Sequence, residues 1–509
     1  MATLIEGIRD ELKDAKRNHE EAKDKLKEFE DGEDDGQWLR GLRRKSELEL
    51  ESEDVDTKAL NRVKKIKYSA SEFALSKNWV QELNCPNPPF LNGRPPNNYD
   101  IPITLYNEVF GKFLRDCKDL SITNKDKNIV CELLLTMSGT FMSHNERIEA
   151  FQGWARKFID YDTTSYNFSN KQSIDGVWRK EYNGKTILLT IFEFKNEFSS
   201  TDPYMQASKY YSGYFEELYE EKSYILQQTC VPTFLVYIYG PYFGIAGAVV
   251  GQNITIDPLV EGSLIFRHGN KFWIDQIIRV FCALRKANNH LDKYYSQIPK
   301  FQVSKEVTRQ ERFPFLRNYK STSGEIINIE YVNRIDSEIK KLIFLIRELG
   351  GRKHILKFAT SYNAKVHNFC FNQGFAPELI KFDNIENTDY KFIIMEYLDG
   401  FNIMTDIWYR LNEKEKSELK AKILDAVNIM HDNNFVHGDL RFNNIMTKLD
   451  SNGSWIVKFI DFDWAGDNGE AEYPQFLNKE INWHSDAQQL GKIFLDHDNH
   501  LINHYFNNY

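Results

Sequence analysis

The feature that most constrains this chain is a short polar signature set among apolar segments. It reads His437-Gly438-Asp439-Leu440-Arg441-Phe442-Asn443-Asn444, and Phe459-Ile460-Asp461-Phe462-Asp463 follows about fifteen residues later. Phosphoryl transfer needs little covalent help from a protein. It needs Mg²⁺ at the β- and γ-phosphates and a carboxylate that aligns the acceptor hydroxyl. The HxDxxxxN spacing supplies both: Asp439 can accept the proton while Asn444 reaches a metal. Asp461, at the end of an apolar strand, supplies a second metal ligand. A fold that holds such a loop against a buried strand needs a substantial core. The 509 residues, 41% apolar and 14% aromatic, can build more than one. At roughly 100–200 residues per domain the length suggests about three units, and the aromatic content excludes a mostly disordered chain.

This signature resembles the catalytic core of the protein-kinase-like superfamily, H-R-D-L-x-x-x-N followed by D-F-G. The resemblance implies ATP and Mg²⁺ as cofactors, Asp439 and Arg441 as catalytic residues, and Asn444 and Asp461 as metal and nucleotide ligands. Other landmarks fall in the same order. Lys357, in Ile355-Leu356-Lys357-Phe358, is the candidate phosphate-orienting lysine. The strand at 390–397 resembles the one entering the hinge, which places Glu396 and Leu398 where the backbone would pair with adenine. Asp486-Ala487-Gln488-Gln489-Leu490-Gly491 resembles the buried-Asp helix of the large lobe. The departures are equally specific. No glycine-rich loop precedes Lys357, the helix after it (362–373) has no Glu, Asp463 stands where the family has Gly, and the large lobe is short. Gly438 in place of Arg resembles small-molecule kinases of the aminoglycoside-phosphotransferase type.

A second constellation lies in the centre of the chain. Asp175 sits in Ser173-Ile174-Asp175-Gly176-Val177-Trp178, and Thr190-Ile191-Phe192-Glu193-Phe194-Lys195 follows. Residues two apart on a strand share a face, so Glu193 and Lys195 point the same way. A hairpin that brings Asp175 alongside makes a cluster in which two carboxylates hold Mg²⁺ and the lysine orients or deprotonates water, the elements of metal-assisted phosphodiester hydrolysis. Downstream, Gln206 and Tyr210 share one helical face. The pattern resembles the PD-(D/E)xK nuclease superfamily, whose RecB-like members carry a QxxxY motif after the ExK strand. That resemblance adds Glu146 or Glu149, upstream on a helix, as a further acidic ligand, with Glu149 taken as the metal ligand. Glu193 between Phe192 and Phe194 is a carboxylate on a buried strand, which is costly without a partner or metal.

These readings give a multidomain α/β and α+β protein: an N-terminal amphipathic helix, a restriction-endonuclease-like αβ core and a C-terminal bilobal protein-kinase-like fold. The expected domains are a charged helical or coiled-coil arm (1–60), a basic then Pro-rich linker (61–102), a nuclease-like domain (103–300) and an atypical kinase-like domain (301–509). Residues 1–60 hold 19 Asp/Glu against 12 Lys/Arg and account for most of the net charge of −9, so the later domains are near neutral. Apolar residues at steps of three, four or seven over 1–30 predict a helix able to pair with a second copy. The basic clusters at 40–45 and 62–67 read as solvated helix faces or as nuclear import signals. Six cysteines without metal-ligand spacing favour a reducing compartment. The hydrophobic runs are too short to span a bilayer, and the N-terminus shows no classical secretory signal.

The order of the two modules resembles the C-terminal regions of Crinkler-type effectors of oomycetes and fungi. That resemblance implies an effector with DNA as partner at the central domain, ATP and an unknown acceptor at the C-terminal domain, and action in a host nucleus. The family's usual LxLFLAK-type header is not found here, so an intracellular site and unconventional secretion both stay open. The competing class is a degraded nucleotide- and DNA-binding scaffold. Near-complete ligand sets favour the enzyme; the missing glycine-rich loop and helix Glu favour the scaffold.

Overall fold

The computed structural model describes residues 54–159, 162–168, 173–299, 310–335 and 341–508. The chain divides into two units, 1–61 and 62–509, and every described strand belongs to the second. The N-terminal arm, with its self-association through residues 1–30, lies up to residue 53 outside the described residues.

Unit 62–509 is mixed α/β and holds two six-stranded sheets. The first runs β1 (Asp162–Asn167), β2 (Ser173–Tyr182), β3 (Lys185–Lys195), β4 (Thr233–Tyr239), β5 (Tyr242–Val250) and β6 (Ile254–Ser263) in sequence order. An Asn183-Gly184 turn with both residues at positive φ joins β2 to β3. A tight hairpin turn of matching twist needs that conformation. All neighbours are antiparallel except β3 and β4, which run parallel. A parallel pair needs a crossover, and helix α2 (Pro203–Glu220) lies within it, after α1 (His144–Phe158). Asp202 caps α2 by accepting from Tyr204 N and Met205 N, with Pro203 at the first turn. A long helix, α3 (Lys271–Ser296), closes this half. The hairpin expected to bring Asp175 beside Glu193 is β2–β3, and the helix expected to carry Gln206 and Tyr210 is α2.

The segment expected as a linker, 61–102, is corrected in part. It runs as loop and short helices, as its prolines suggest, but Phe73, Phe90, Asn92 and Ile101 are fully buried, and Leu91 bridges Thr255 beside β6. Apolar residues between the prolines pin it to the first sheet, so it is part of the core.

The second sheet has the order β11 (Leu379–Asn384), β12 (Lys391–Glu396), β10 (Lys353–Ala359), β9 (Ile343–Glu348), β8 (Ile326–Arg334), β7 (Asn318–Lys320). Helix α4 (Ala364–Asn372) follows β10. Below it lie α5 (Glu413–Asp432), the polar loop, a strand pair 445–449/455–459, and α6 (Leu495–Asn508). One core joins these parts, from Val366 and Ile393 through Ile423 and Leu440 to Phe462 and Ile502. Among the described residues no helix is long and apolar enough to cross a membrane, and all six cysteines are free.

Candidate active sites

The C-terminal site is built on the loop 437–444. Asp498 of α6 is fully buried, and its carboxylate accepts from His437 N at 2.7 Å and Gly438 N at 2.8 Å. This pins the loop from beneath. Gly438 has φ +81°, and a Cβ there would sit 2.9 Å from Ile493 Cδ1 and 3.0 Å from Trp464 O. An arginine in that position would be both strained and crowded. The buried aspartate inferred at Asp486 is corrected: Asp486 is exposed and lies in a turn, and Asp498, twelve residues on, does this work. Asp498→Ala leaves two buried amides without an acceptor and is expected to cost about 3 kcal/mol. Urea unfolding checks it.

Asp439 is almost fully buried and accepts from Arg441 Nε at 2.5 Å and Nη2 at 2.8 Å. Asn444 Nδ2 donates to Asp439 O and Oδ2, both at 2.8 Å, which leaves the amide oxygen for a cation. Ile460 N donates to Asn444 O at 3.0 Å, setting Asp461 beside the loop. Asp461 has φ +73°, a conformation costly for a residue other than glycine and characteristic of functional positions. It is held by Phe462, whose ring stacks on His367 of α4 at 4.7 Å and packs on His437 at 5.2 Å.

Lys357 of β10 is buried and bonds both Asp461 and, at 2.5 Å, Asp463. Thus Asp463, in the place of a glycine, fills the partner role for which α4 offers no Glu. Lys341, just before β9, reaches Asp461 Oδ2 at 2.6 Å. Burial would push the Asp461 carboxyl up, but the Lys357 and Lys341 charges outweigh it and hold it well below the usual range. Burial, with the Asp461 charge, pushes Asp463 up to about 6 against the pull of Lys357. Burial alone would lower Lys357, and the two carboxylates keep it charged. Glu396 is the last residue of β12, between β11 and β10; its N donates to Glu378 O at 2.9 Å, and Tyr397 and Leu398 follow half-buried. Asp461, one residue beyond the Ile460 amide that bonds Asn444 O, and the Asn444 side chain are oxygen donors of the kind that fits Mg²⁺, which keeps several waters and takes few protein ligands.

Comparison with known proteins agrees with this geometry. Residues 370–480 match the protein kinase domain family. Over 146 residues the chain is 25% identical to the rat phosphorylase b kinase gamma catalytic chain, liver/testis isoform, covering 28% of this chain and 29% of that one. It is 26% identical over 144 residues to the probable serine/threonine-protein kinase fnkE of Dictyostelium discoideum (27% and 11% covered). With the probable serine/threonine-protein kinase KIN1 homolog of Enterocytozoon bieneusi it shares 37% over 90 residues (17% and 14%). The C-terminal region carries a protein kinase domain. The chain spans less than a third of the length of these relatives. The solved Cydia pomonella granulovirus kinase PK-1 is 20% identical, with 34% of this chain and 65% of that one covered. Its TM-score of 0.28 is too low to carry an argument.

The central cluster lies on β2, β3 and α2. Asp175 Oδ2 accepts from Phe194 N at 3.0 Å, so the hairpin sets it next to Glu193. Lys195 Nζ lies 2.8 Å from Glu193 Oε1 and donates to Gln206 Oε1 at 2.8 Å; Gln206 Nε2 donates to Tyr210 Oη at 3.0 Å. Five of the residues named from the sequence, Asp175, Glu193, Lys195, Gln206 and Tyr210, therefore meet. Glu193 is 1% exposed, and despite the nearby lysine neither of its oxygens receives a well-directed hydrogen bond. Burial and the Asp175 charge push it up to about 8, with Lys195 opposing.

Glu149 is not brought to this cluster. It is exposed, and at 100° per residue it lies about 140° around α1 from His144. His144 Nε2 instead lies 3.3 Å from Asp175 Oδ2. Glu146 is also exposed, its carboxylate accepting from Met142 N. Among the described residues no group of three or more His, Cys, Asp or Glu is gathered closely enough for a metal. The donor set here is two carboxylates, one of them buried and lacking hydrogen bonds, which suits a mostly hydrated Mg²⁺.

Proposed function

We propose that the C-terminal domain transfers the γ-phosphoryl group of ATP to an acceptor hydroxyl. The observation that carries this reading is the pairing of Asp439 with Asn444 on one pinned loop, with Asp461 set beside that loop and bonded to the buried Lys357. Mg²⁺, when bound to Asp461 and Asn444, neutralises phosphate charge. Lys357 orients the phosphates, and Lys341 adds a second cation where no glycine-rich loop offers backbone amides. Arg441 yields one oxygen of Asp439 to the acceptor hydroxyl. That oxygen takes the proton as the acceptor oxygen bonds the γ-phosphorus and the bond to the β-phosphate oxygen breaks, releasing ADP. Transfer of ³²P from [γ-³²P]ATP in the presence of Mg²⁺, to the protein or to added acceptors, tests the reading; absence of any transfer counts against it.

A second activity is proposed for the centre: metal-dependent phosphodiester hydrolysis, favoured by the buried carboxylate of Glu193 beside Asp175 and Lys195. Plasmid cleavage with Mg²⁺ or Mn²⁺ tests it, and a protein that neither cuts nor is stabilised by either ion contradicts it. The finer reading is a Crinkler-type effector, exported by an unconventional route or kept intracellular, and acting in a host nucleus. It rests on the order of the two modules. The test is whether the protein, made inside a host cell, is toxic only with both sites intact.

A further inference from the structure

Beside the central cluster lies a cavity of about 510 Å³ that has Lys195 in its wall, together with Trp79, Phe198, Tyr237, Tyr239 and Arg94. Phe198 sits three residues beyond Lys195, on the loop to the cap of α2, and is 73% exposed. Its ring meets Tyr239 edge-on at 5.5 Å and lies 5.6 Å from Tyr242, while Tyr239 and Tyr242 stack at 5.8 Å. Opposite, the Arg94 guanidinium lies 4.6 Å over the Trp79 ring. The acidic groups at the rim are already engaged: Asp202 with Arg94, Glu197 with Arg147 and Glu261 with the Tyr237 hydroxyl.

We infer that this face is a stacking platform for unpaired bases, so that the substrate of the central site is single-stranded nucleic acid. The inference rests on the hydrolytic reading of that site and names its substrate class. An exposed phenylalanine buttressed by two tyrosines offers one ring face and edge to a planar partner, and every nucleobase has such a face. In a duplex that face is covered by the neighbouring base pairs, so only an unpaired base can use it. Lys195 belongs both to the cavity wall and to the Asp175/Glu193 cluster. A base seated on the rings therefore sets its own backbone phosphate at the carboxylates, with Lys195 as the cation shared by the cavity and the cluster.

The test is fluorescence anisotropy with the full chain, a labelled 20-nucleotide single strand of mixed sequence and its duplex, with Ca²⁺ in place of Mg²⁺. The single strand is expected to bind at least about 10-fold tighter than the duplex. Phe198→Ala is expected to lose about 10-fold on the single strand with the duplex unchanged, and Phe198→Trp to restore it. Because Phe198 is exposed, the melting temperature of each variant serves as the folding control. Equal binding of both forms by the wild type, or an unaltered Phe198→Ala, overturns the inference. Cleavage on the same samples with Mg²⁺ separates the two ideas. Single-strand preference without cleavage removes the hydrolytic reading and leaves the platform; equal cleavage of strand and duplex does the reverse. No binding to either removes both.

Discussion

Asp439→Asn is expected to lower phosphoryl transfer by about 10²–10⁴-fold, the usual contribution of a positioned general base, while ATP still binds. The asparagine keeps the shape and the acceptor oxygen but cannot take the acceptor's proton. Asp439→Ala is a poorer test of the same role. It removes both bonds from Arg441 and one of the two from Asn444, so part of its loss would come from a disordered loop. The pairing of Arg441 with Asp439 makes a second, opposite expectation. Arg441→Ala frees both oxygens of the carboxylate from the guanidinium, yet removes a cation near the phosphates. A fall in transfer smaller than that of Asp439→Asn, with weaker ATP binding, is the outcome that fits. Transfer unchanged in Asp439→Asn would exclude Asp439 as the base.

The second large effect is expected at Lys195. Lys195→Ala should reduce nucleic-acid cleavage by about 10²–10⁴-fold, because the attacking water loses its orienting or proton-accepting group. Asp175 and Glu193 remain, so stabilisation by Mn²⁺ should persist. The stability change has a definite pH dependence. Glu193 has its carboxyl raised to about 8 in the folded chain, above its unfolded value. Its contribution is therefore complete below the carboxylate range and is lost as pH rises through about 8. Near neutrality much of Glu193 is protonated, and losing Lys195 costs little. Above pH 8 the acid ionises without its cation, and the variant should fall below wild type by an amount that grows with pH. Glu193→Gln removes the titration and should flatten this dependence. A pH-independent loss of the size seen on breaking a buried ion pair, about 3–5 kcal/mol, would instead make Lys195 a structural partner of an ionised Glu193.

The parts legible in the sequence were those where spacing alone decides the outcome. The hairpin that sets Asp175 beside Glu193 and the helix that carries Gln206 and Tyr210 followed from such spacing, and a period of two placed Glu193 and Lys195 on one face. The polar loop and Asp461 followed from residue types at fixed offsets. What was missed depends on tertiary partners. The role of Asp498 is defined by the His437 and Gly438 amides beneath the loop, and no local pattern separates it from Asp486. Lys341 precedes an ordinary strand and matters because β9 carries it over Asp461. Glu149 was a readable error: His144, Arg147, Phe151, Trp154 and Phe158 form one stripe along α1, and Glu149 is off it. Four of those five are buried, so the stripe turns inward and takes His144 to Asp175.

The most direct test of the phosphotransfer account is the affinity for ATP with and without Mg²⁺, by calorimetry on the wild type and on Asp461→Asn. The account predicts that Mg²⁺ tightens ATP binding to the wild type at least about 10-fold and leaves AMP unaffected, since the ion acts through the β- and γ-phosphates. In Asp461→Asn that gain should vanish while AMP binds as before. Equal ATP affinity with and without Mg²⁺ in the wild type, or a gain that survives in Asp461→Asn, would contradict it.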